Sequence, residues 1–219
     1  MNLSQNSATA NAAVDHLLLG AADLDVGVAW AASLTGVNAA SGGSHPGAGT
    51  RNALLSLGGR QYLEIIAPDP AQTAFHFHID IRTLTAPRLI AWAAATADIH
   101  LVAKRARDAG FEVLGPRDGS RVRPDGKQLR WQTLAVANGF GRQGVEAVPF
   151  FIQWAAGSVH PSQDSPGGCE LLRLEIEHPD SGALTEALQK LGIEAAVKQA
   201  TAVRLRATLK TPQGEVELS

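Results

Sequence analysis

The sequence is poor in cysteine and has no large excess of charge of either sign. Of its 219 residues only Cys169 is a cysteine, so no internal disulfide can form, which is typical of a reducing compartment. Nineteen basic against twenty-one acidic residues give a net charge of −2, so the excess positive charge that attracts a nucleic acid backbone is lacking. We therefore expect a cytoplasmic protein with no nucleic acid partner.

Long apolar runs and several familiar motifs are also lacking. No stretch approaches the roughly 20 apolar residues that a membrane-spanning helix requires, so we expect no membrane partner. Residues 1–13 are small and polar and lack a basic cluster followed by an apolar stretch, so we expect a disordered segment rather than a signal peptide. Neither GxxxxGK[ST] nor GxSxG occurs, which leaves nucleotide hydrolysis and serine esterase chemistry without their usual motifs.

What the chain does have is the composition of a folded globular protein, with 45% apolar and 18% charged residues. Its pattern then repeats the order strand, helix and three further strands. In the first copy VDHLLLG is a buried strand, Asp23 is the N-cap of a helix ending near Gly36, SGGSHPGAG is a loop, and residues 51–57 and 61–67 are strands.

A second copy begins at Arg88, with Asp98 as the N-cap and Gly110 ending the helix. EVLG then predicts a short strand and GSRVRPDGK a polar turn, before strands at 128–137 and 148–155. A third copy follows residues 160–168, with the strand LLRLEIE, a helix at 180–191 and short strands to the end.

Aligning the three copies on their N-caps gives each residue of the first copy a counterpart in the others. His16 then corresponds to Ala91 and Arg173. Glu64 corresponds to Gln153 and Glu217 in the later copies.

The order of elements, with VDHLLL and YLEIIAPDP bounding the first copy, resembles the vicinal oxygen chelate superfamily. HPGAGTRNALLSLG, SRVRPDGKQLRW, VPFFIQW and PGGCELLRLEIEHPD are similar to a bacterial glyoxalase-like domain family within it. The resemblance implies an α+β fold of repeated βαβββ modules that form cupped mixed sheets. The similarity covers roughly residues 14–180. Together with the repeat pattern it predicts paired modules 1 and 2 at residues 14–158 and a third, partial βαβββ-like module at 159–219.

The resemblance also implies where a metal ion would bind, because inward residues of the first and last strands of each module supply ligands in such folds. The first module offers His16 and Glu64 as metal ligands and catalytic groups, for a divalent ion such as Zn, Fe, Mn or Ni. The second module departs from the pattern, since Ala91 and Gln153 stand at the corresponding places. Two ligands rarely hold such an ion alone.

Strand alternation places His16 and Leu18 on one face, and Tyr62 with Glu64 on one face of the later strand. The alternative is that His16 is a satisfied buried histidine and Glu64 an edge carboxylate. The glycine-rich loop brings three further ligand-binding candidates: His45, Arg51 and Asn52. An Arg fork suits a carboxylate or enediolate, although the loop is equally explained as a flexible connection with a solvated arginine.

The second module adds further ligand-binding candidates: Trp92, Arg130, Gln153, Trp154 and His160. The tryptophans suggest an aromatic wall, but core packing is the ordinary explanation, and strand parity turns Trp92 and Trp154 toward the helices. His160 either reaches over the cavity opening or is an exposed linker residue. In FHFHIDI, at residues 75–81, His76, His78 and Asp80 share one face. Such a face can chelate a metal ion, but we expect the solvent-exposed side of an amphipathic strand, away from the cavity.

Two classes of function are consistent with these patterns. The first is an enzyme, a metal-assisted lyase, isomerase or dioxygenase acting on a small oxygenated substrate; a metal-free acid–base enzyme using His16 and Glu64 is a variant of it. The second is a protein of the same fold that binds or sequesters a small ligand without chemistry. Because an unpaired third module would expose apolar surface, we expect the first two modules or the twin chain of a homodimer to cover it.

Overall fold

The computed structural model describes residues 14–122, 126 and 128–219; the predicted disordered segment 1–13 lies outside the described residues. No helix in this part of the chain is both long and apolar enough to cross a membrane. In chain order the elements are β1 (Val14–Gly20), α1 (Leu24–Thr35), β2 (Ala40–His45), β3 (Thr50–Ser56), β4 (Tyr62–Pro68), a 3-10 turn (Ile81–Thr83), β5 (Arg88–Ala95), α2 (Ile99–Asp108), β6 (Val113–Val122), β7 (Gln128–Val136), β8 (Phe150–Trp154), a second 3-10 turn (Pro161–Gln163), β9 (Glu170–His178), α3 (Ser181–Lys190), β10 (Ala196–Gln199), β11 (Arg204–Thr211) and β12 (Gly214–Leu218).

The first two modules share one eight-stranded sheet, with the order β2-β3-β4-β1-β5-β8-β7-β6. In each module the first strand pairs in parallel with the last, β1 with β4 and β5 with β8. The modules join through the antiparallel pair β1 and β5, where Leu18 lies opposite Ala91. The sheet curls until its edge strands β2 and β6 approach each other. The result is the predicted α+β cupped sheet.

The predicted helix boundaries are confirmed because local chemistry sets them. The side chain of Asp23 accepts hydrogen bonds from the backbone amides of Asp25 and Val26 at the start of α1. Gly36 ends the helix with φ at 74°, in the left-handed region that favours glycine. Asp98 caps α2 in the same way as Asp23 caps α1.

The structure differs from the predicted strands at the two sheet edges. β2 runs through ASGGSH, where we expected a loop, and β6 extends through GSRV, where we expected a turn. Both segments are rich in glycine or polar residues, so their intrinsic strand propensity is low. Pairing with β3 and β7 extends them nevertheless, which is a tertiary effect that local sequence does not carry.

The third unit keeps the order of elements but not their pairing. Its sheet has the order β10-β9-β11-β12, so that β9 lies inside it, parallel to β10 and antiparallel to β11. Its apolar face, including Ile176 and Leu209, belongs to the same hydrophobic core as Leu17 and Trp92 of the large sheet. The third unit therefore packs on the helix-bearing face of the first two modules, as one of the two expected arrangements requires.

Candidate functional site

The concave face of the large sheet carries a cluster of buried polar side chains. His16 on β1 and Glu64 on β4 occupy neighbouring parallel strands, two residue pairs apart in register, since His16 lies beside Tyr62 and Leu18 beside Glu64. Their side chains turn to the same side, with His16 Nε2 3.5 Å from Glu64 Oε2, and both residues are buried. The structure thus brings together the two residues that the sequence pattern selected.

Asp15 holds the ring of His16 in place. The Asp15 carboxylate lies 2.7 Å from His16 Nδ1 and also contacts His160 Nε2 at 3.2 Å and Trp154 Nε1 at 3.1 Å. Because an ionised carboxylate only accepts hydrogen bonds, Nδ1 of His16 must carry the proton that it donates. In the neutral ring this leaves Nε2 of His16 as a proton acceptor that faces the cavity.

The charge on Asp15 is stabilised despite its burial. Desolvation would raise the pKa of this carboxyl. The hydrogen bonds from His16 and His160, together with the electrostatic effect of the two rings, outweigh that cost, so the pKa of Asp15 lies well below its ordinary value. A buried anion therefore stands behind His16 throughout the neutral pH range.

Three further side chains complete the polar cluster around Glu64. Asn52 Nδ2 donates to Glu64 Oε1 at 2.6 Å and lies 3.2 Å from His45 Nε2. Arg121 on β6 donates from Nη1 to Asn52 Oδ1 at 2.6 Å. This last bond joins the two modules, because the curl of the sheet brings β6 close to β2 and β3.

The ionisation of the cluster follows from these contacts. Burial would raise the pKa of Glu64, but the neighbouring His45 and His16, the Asn52 amide and the positive charge of Arg121 lower it overall. Burial lowers the pKa of His45, and the charge of Arg121 acts in the same direction against the attraction of Glu64. Glu64 is thus an anion and His45 a neutral ring near pH 7.

The donor set does not fit a divalent metal ion held by His16 and Glu64. His45 is the nearest possible third ligand, with Nε2 3.6 Å from Glu64 Oε1. The Asn52 amide lies within 3.2 Å of both atoms, so an N–H donor stands where an ion that joins His45 to Glu64 would lie. From the opposite wall β8 contributes Phe150 and Ile152, which carry no ligand atoms. Nowhere in the described chain do three or more His, Cys, Asp or Glu side chains form a group that could hold a metal. Two donors fall short of the four to six that such ions need.

The cavity above these groups has two adjoining parts. The polar lobe, about 660 Å³ in volume, is lined by His16, His45, Asn52, Tyr62, Glu64 and Arg121, with Trp131 and Trp154 on the facing wall. The apolar lobe, about 540 Å³, is lined chiefly by Leu18, Phe77, Ala91, Ala135, Val148 and Phe150. Leu18, Phe77 and Phe150 line both lobes, so the two lie side by side.

Several predicted ligand-binding residues lie in or beside this cavity and others do not. His45, Asn52 and Trp154 line the polar lobe. His160 is fully buried behind it, rather than over the opening or in an exposed linker, and reaches the site through Asp15. Phe77 and His78 of the FHFHIDI segment form no strand and line the apolar lobe, contrary to our expectation that the segment lies away from the cavity.

Four predicted ligand-binding residues lie outside both lobes, each for a physical reason. Strand alternation turns Arg51 to the face of β3 opposite Asn52. Trp92 is in the core and donates from Nε1 to the carbonyl of Ala147 at 3.0 Å. The exposed Arg130 binds Gln128 on the outer surface, and Gln153 accepts a hydrogen bond from Ile99 N at the start of α2, so it is not a counterpart of Glu64 inside the cup.

Asp15 and Arg121 belong to the polar cluster but were not selected from the sequence. Asp15 had a signal, since a carboxylate inside an otherwise apolar buried strand requires a partner, and its neighbour His16 was the obvious one. Arg121 had none, because it lies within a segment that reads as a polar turn and reaches Asn52 only through the curl of the sheet.

Comparisons with known proteins agree with this architecture. Residues 14–192 match the sequence model of a family described as a glyoxalase-like domain. A hypothetical protein from Staphylococcus aureus has a similar structure, with a TM-score of 0.64 and 19% identity over 93% of this chain and 83% of that chain. No curated protein sequence matches.

Two solved epimerases are more distant in structure. Methylmalonyl-CoA epimerase from Mycobacterium tuberculosis has a TM-score of 0.42 and 19% identity, over 65% of this chain and 86% of that chain. A Streptomyces coelicolor methylmalonyl-CoA epimerase variant in complex with 2-nitronate-propionyl-CoA has a TM-score of 0.45 and 22% identity, over 66% and 98%. At such identities these likenesses concern the fold alone.

Proposed function

The chain belongs to the glyoxalase-like domain family, and from this premise we propose that it is an enzyme that transfers a proton on a small oxygenated compound bound in its cupped sheet. His16 is the proposed base. The observation that carries the proposal is the hydrogen bond of 2.7 Å between Asp15 and His16 Nδ1, which leaves Nε2 as a proton acceptor at the cavity wall. A carboxylate that holds one ring nitrogen so that the other can act is a recurring arrangement in general base catalysis.

The proposed step is removal of a proton from a carbon next to a carbonyl group. His16 Nε2 takes the proton, the C–H electron pair moves into the adjacent bond, and the carbonyl oxygen becomes an enolate. The guanidinium of Arg121 lines the same lobe and supplies positive charge for that oxygen. Return of the proton to the same or a neighbouring carbon gives an epimerase or isomerase, and His16 is then the acid.

A ligand-binding protein without catalysis is the second candidate, and the facing wall of the cavity favours it. Where the superfamily pattern leads one to expect further ligands, β5 and β8 contribute Ala91, Phe150 and Ile152. Such a wall binds by exclusion of water and carries no reacting group. The two candidates differ in one measurable property, turnover of the bound compound.

Proton exchange in deuterated water tests the proposal without knowledge of the product. A panel of 2-oxo acids and simple ketones is incubated with the protein, and loss of the signal of the proton next to the carbonyl is followed by NMR. We expect exchange with the wild-type protein and at least a hundredfold slower exchange with His16→Asn. His100→Asn, at an exposed position of α2, is the matched control and should exchange at the wild-type rate.

The same samples separate the alternatives. Binding of a compound with no exchange in any case contradicts the enzyme and supports the binding protein. A stoichiometric divalent ion in untagged wild-type protein that is lost in His16→Asn would replace the acid–base proposal with a metal-assisted one. Exchange that survives in His16→Asn would move the base to another residue.

A further inference from the structure

The two-lobed cavity points to the class of compound that the site accepts. Resting on the proposed function, we infer that the substrate is a medium-chain oxygenated carboxylate: its oxygenated end occupies the polar lobe, its unbranched apolar tail occupies the apolar lobe, and Arg117 binds its carboxylate. A 2-oxo acid with a straight alkyl chain has these three features, because the oxo oxygen, the carboxylate and the tail are all attached to its carbonyl carbon.

The apolar lobe supports an apolar tail in the ligand. It adjoins the lobe that holds the reacting groups, because Leu18 and Phe150 line both lobes. Its wall is built mostly of aliphatic and aromatic side chains, and it includes Leu114, which is 41% exposed. When a ligand covers apolar surface that is open to water inside a cavity, the binding becomes more favourable in proportion to the apolar area removed from water.

The position of Arg117 supports a carboxylate in the ligand. This exposed side chain of β6 lines both lobes, so its charge lies at their junction. A guanidinium there pairs with a carboxylate that is bonded directly to the carbonyl carbon, next to the carbon that loses its proton. Besides Arg117, the polar side chains that line the apolar lobe are those of His78, Thr133, Asn138 and Glu146; His78 and Asn138 are exposed, and Thr133 and Glu146 are half-buried.

The chain length of the ligand tests the inference by binding alone. Dissociation constants for 2-oxobutyrate, 2-oxohexanoate and 2-oxooctanoate are measured by calorimetry with the wild-type protein. Each pair of added CH2 groups should tighten binding about tenfold. Arg117→Gln should weaken binding of 2-oxooctanoate by about tenfold or more while leaving octan-2-one unchanged. Equal affinity for the three acids would overturn the inference.

Filling the lobe locates the tail. Ala135→Leu at a half-buried position and Ala91→Leu at a buried one each place a larger side chain in the apolar lobe, and each should abolish the gain from 2-oxohexanoate to 2-oxooctanoate. Ala135→Leu keeps the test decisive if the buried variant does not fold. Ala95→Leu is the matched control, because it is exposed on β5 outside both lobes, and should retain the gain.

The outcome is distinguishable from that of the proposed function. Chain-length dependence without proton exchange would leave the ligand class standing and remove the enzyme. Proton exchange with no dependence on chain length would support the enzyme and overturn the ligand class. A chain-length dependence that persists in both Leu variants would place the tail elsewhere and overturn the assignment of this lobe.

Discussion

Replacement of Asp15 by Asn tests the arrangement on which the site depends. The Asp15 carboxylate accepts from His16 Nδ1 at 2.7 Å, from Trp154 Nε1 at 3.1 Å and from His160 Nε2 at 3.2 Å, and all of it is buried. Asn has the same shape but one acceptor oxygen, and its amide group donates. Whichever way the amide lies, at least one of the three donors loses its acceptor.

The size of the effect follows from these bonds. A hydrogen bond to a charged group contributes about 1.5–3 kcal/mol, and the variant retains one acceptor in place of a carboxylate. We therefore expect the free energy of unfolding at pH 7 to fall by about 3 kcal/mol. If the amide group turns toward His16, the proton of that ring must move from Nδ1 to Nε2, which removes the acceptor from the cavity.

The pH dependence has a definite sign. The pKa of Asp15 is lowered in the folded state, and the unfolded value is about 3.9. The stability that this shift contributes is complete above the unfolded pKa and is lost as pH falls below it toward the folded pKa. The difference in stability between wild type and Asp15→Asn should therefore be largest at neutral pH and shrink below about pH 4.

Urea denaturation between neutral pH and about pH 4 measures the loss of stability and its pH dependence. The nitrogen chemical shifts of the His16 ring show which tautomer is present. Asp108→Asn is the control, because that exposed carboxylate only pairs with Lys104 on the surface of α2 and should cost about 0.5 kcal/mol or less. An Asp15→Asn protein with wild-type stability at pH 7, or one in which the His16 tautomer changes while proton exchange stays at the wild-type rate, would refute the argument.

Two further predictions concern packing. Gly42→Ala should lower the free energy of unfolding by about 1–3 kcal/mol, because a Cβ at this buried position of β2 would collide with Asn52 Oδ1 and Arg121 Nη1. The control is Gly139→Ala, where a Cβ meets nothing and the free energy of unfolding should not change in the same urea denaturation assay. Equal effects of the two substitutions would contradict the close approach at Gly42. Leu209→Ala should cost about 3 kcal/mol by leaving a cavity in the core that the third unit shares with the large sheet. Calorimetry of Leu209→Ala should still show one unfolding transition, and a separate early transition would mean that the third unit folds on its own. The control is Leu101→Ala, on the exposed face of α2, which should change the free energy of unfolding little.

The sequence by itself determined the elements and one half of the site. Alternation, turn residues and the caps Asp23 and Asp98 are local signals, so the helices and the inner strands could be placed from them to within a few residues, whereas the edge strands β2 and β6 could not. His16 and Glu64 could be paired because the period of a strand decides which side each residue faces, and the resemblance decided that the two strands are neighbours.

The tertiary structure decided the rest, because the remaining contacts join residues far apart in the chain. Arg121 meets Asn52, and His160 meets Asp15, only because the sheet curls and the linker to the third unit passes behind β1. Gln153 turns away from the cup because the N-terminus of α2 offers it a backbone amide. The pairing of the third unit was equally beyond local pattern, since an identical order of elements folds into a different sheet when its apolar face must cover another core.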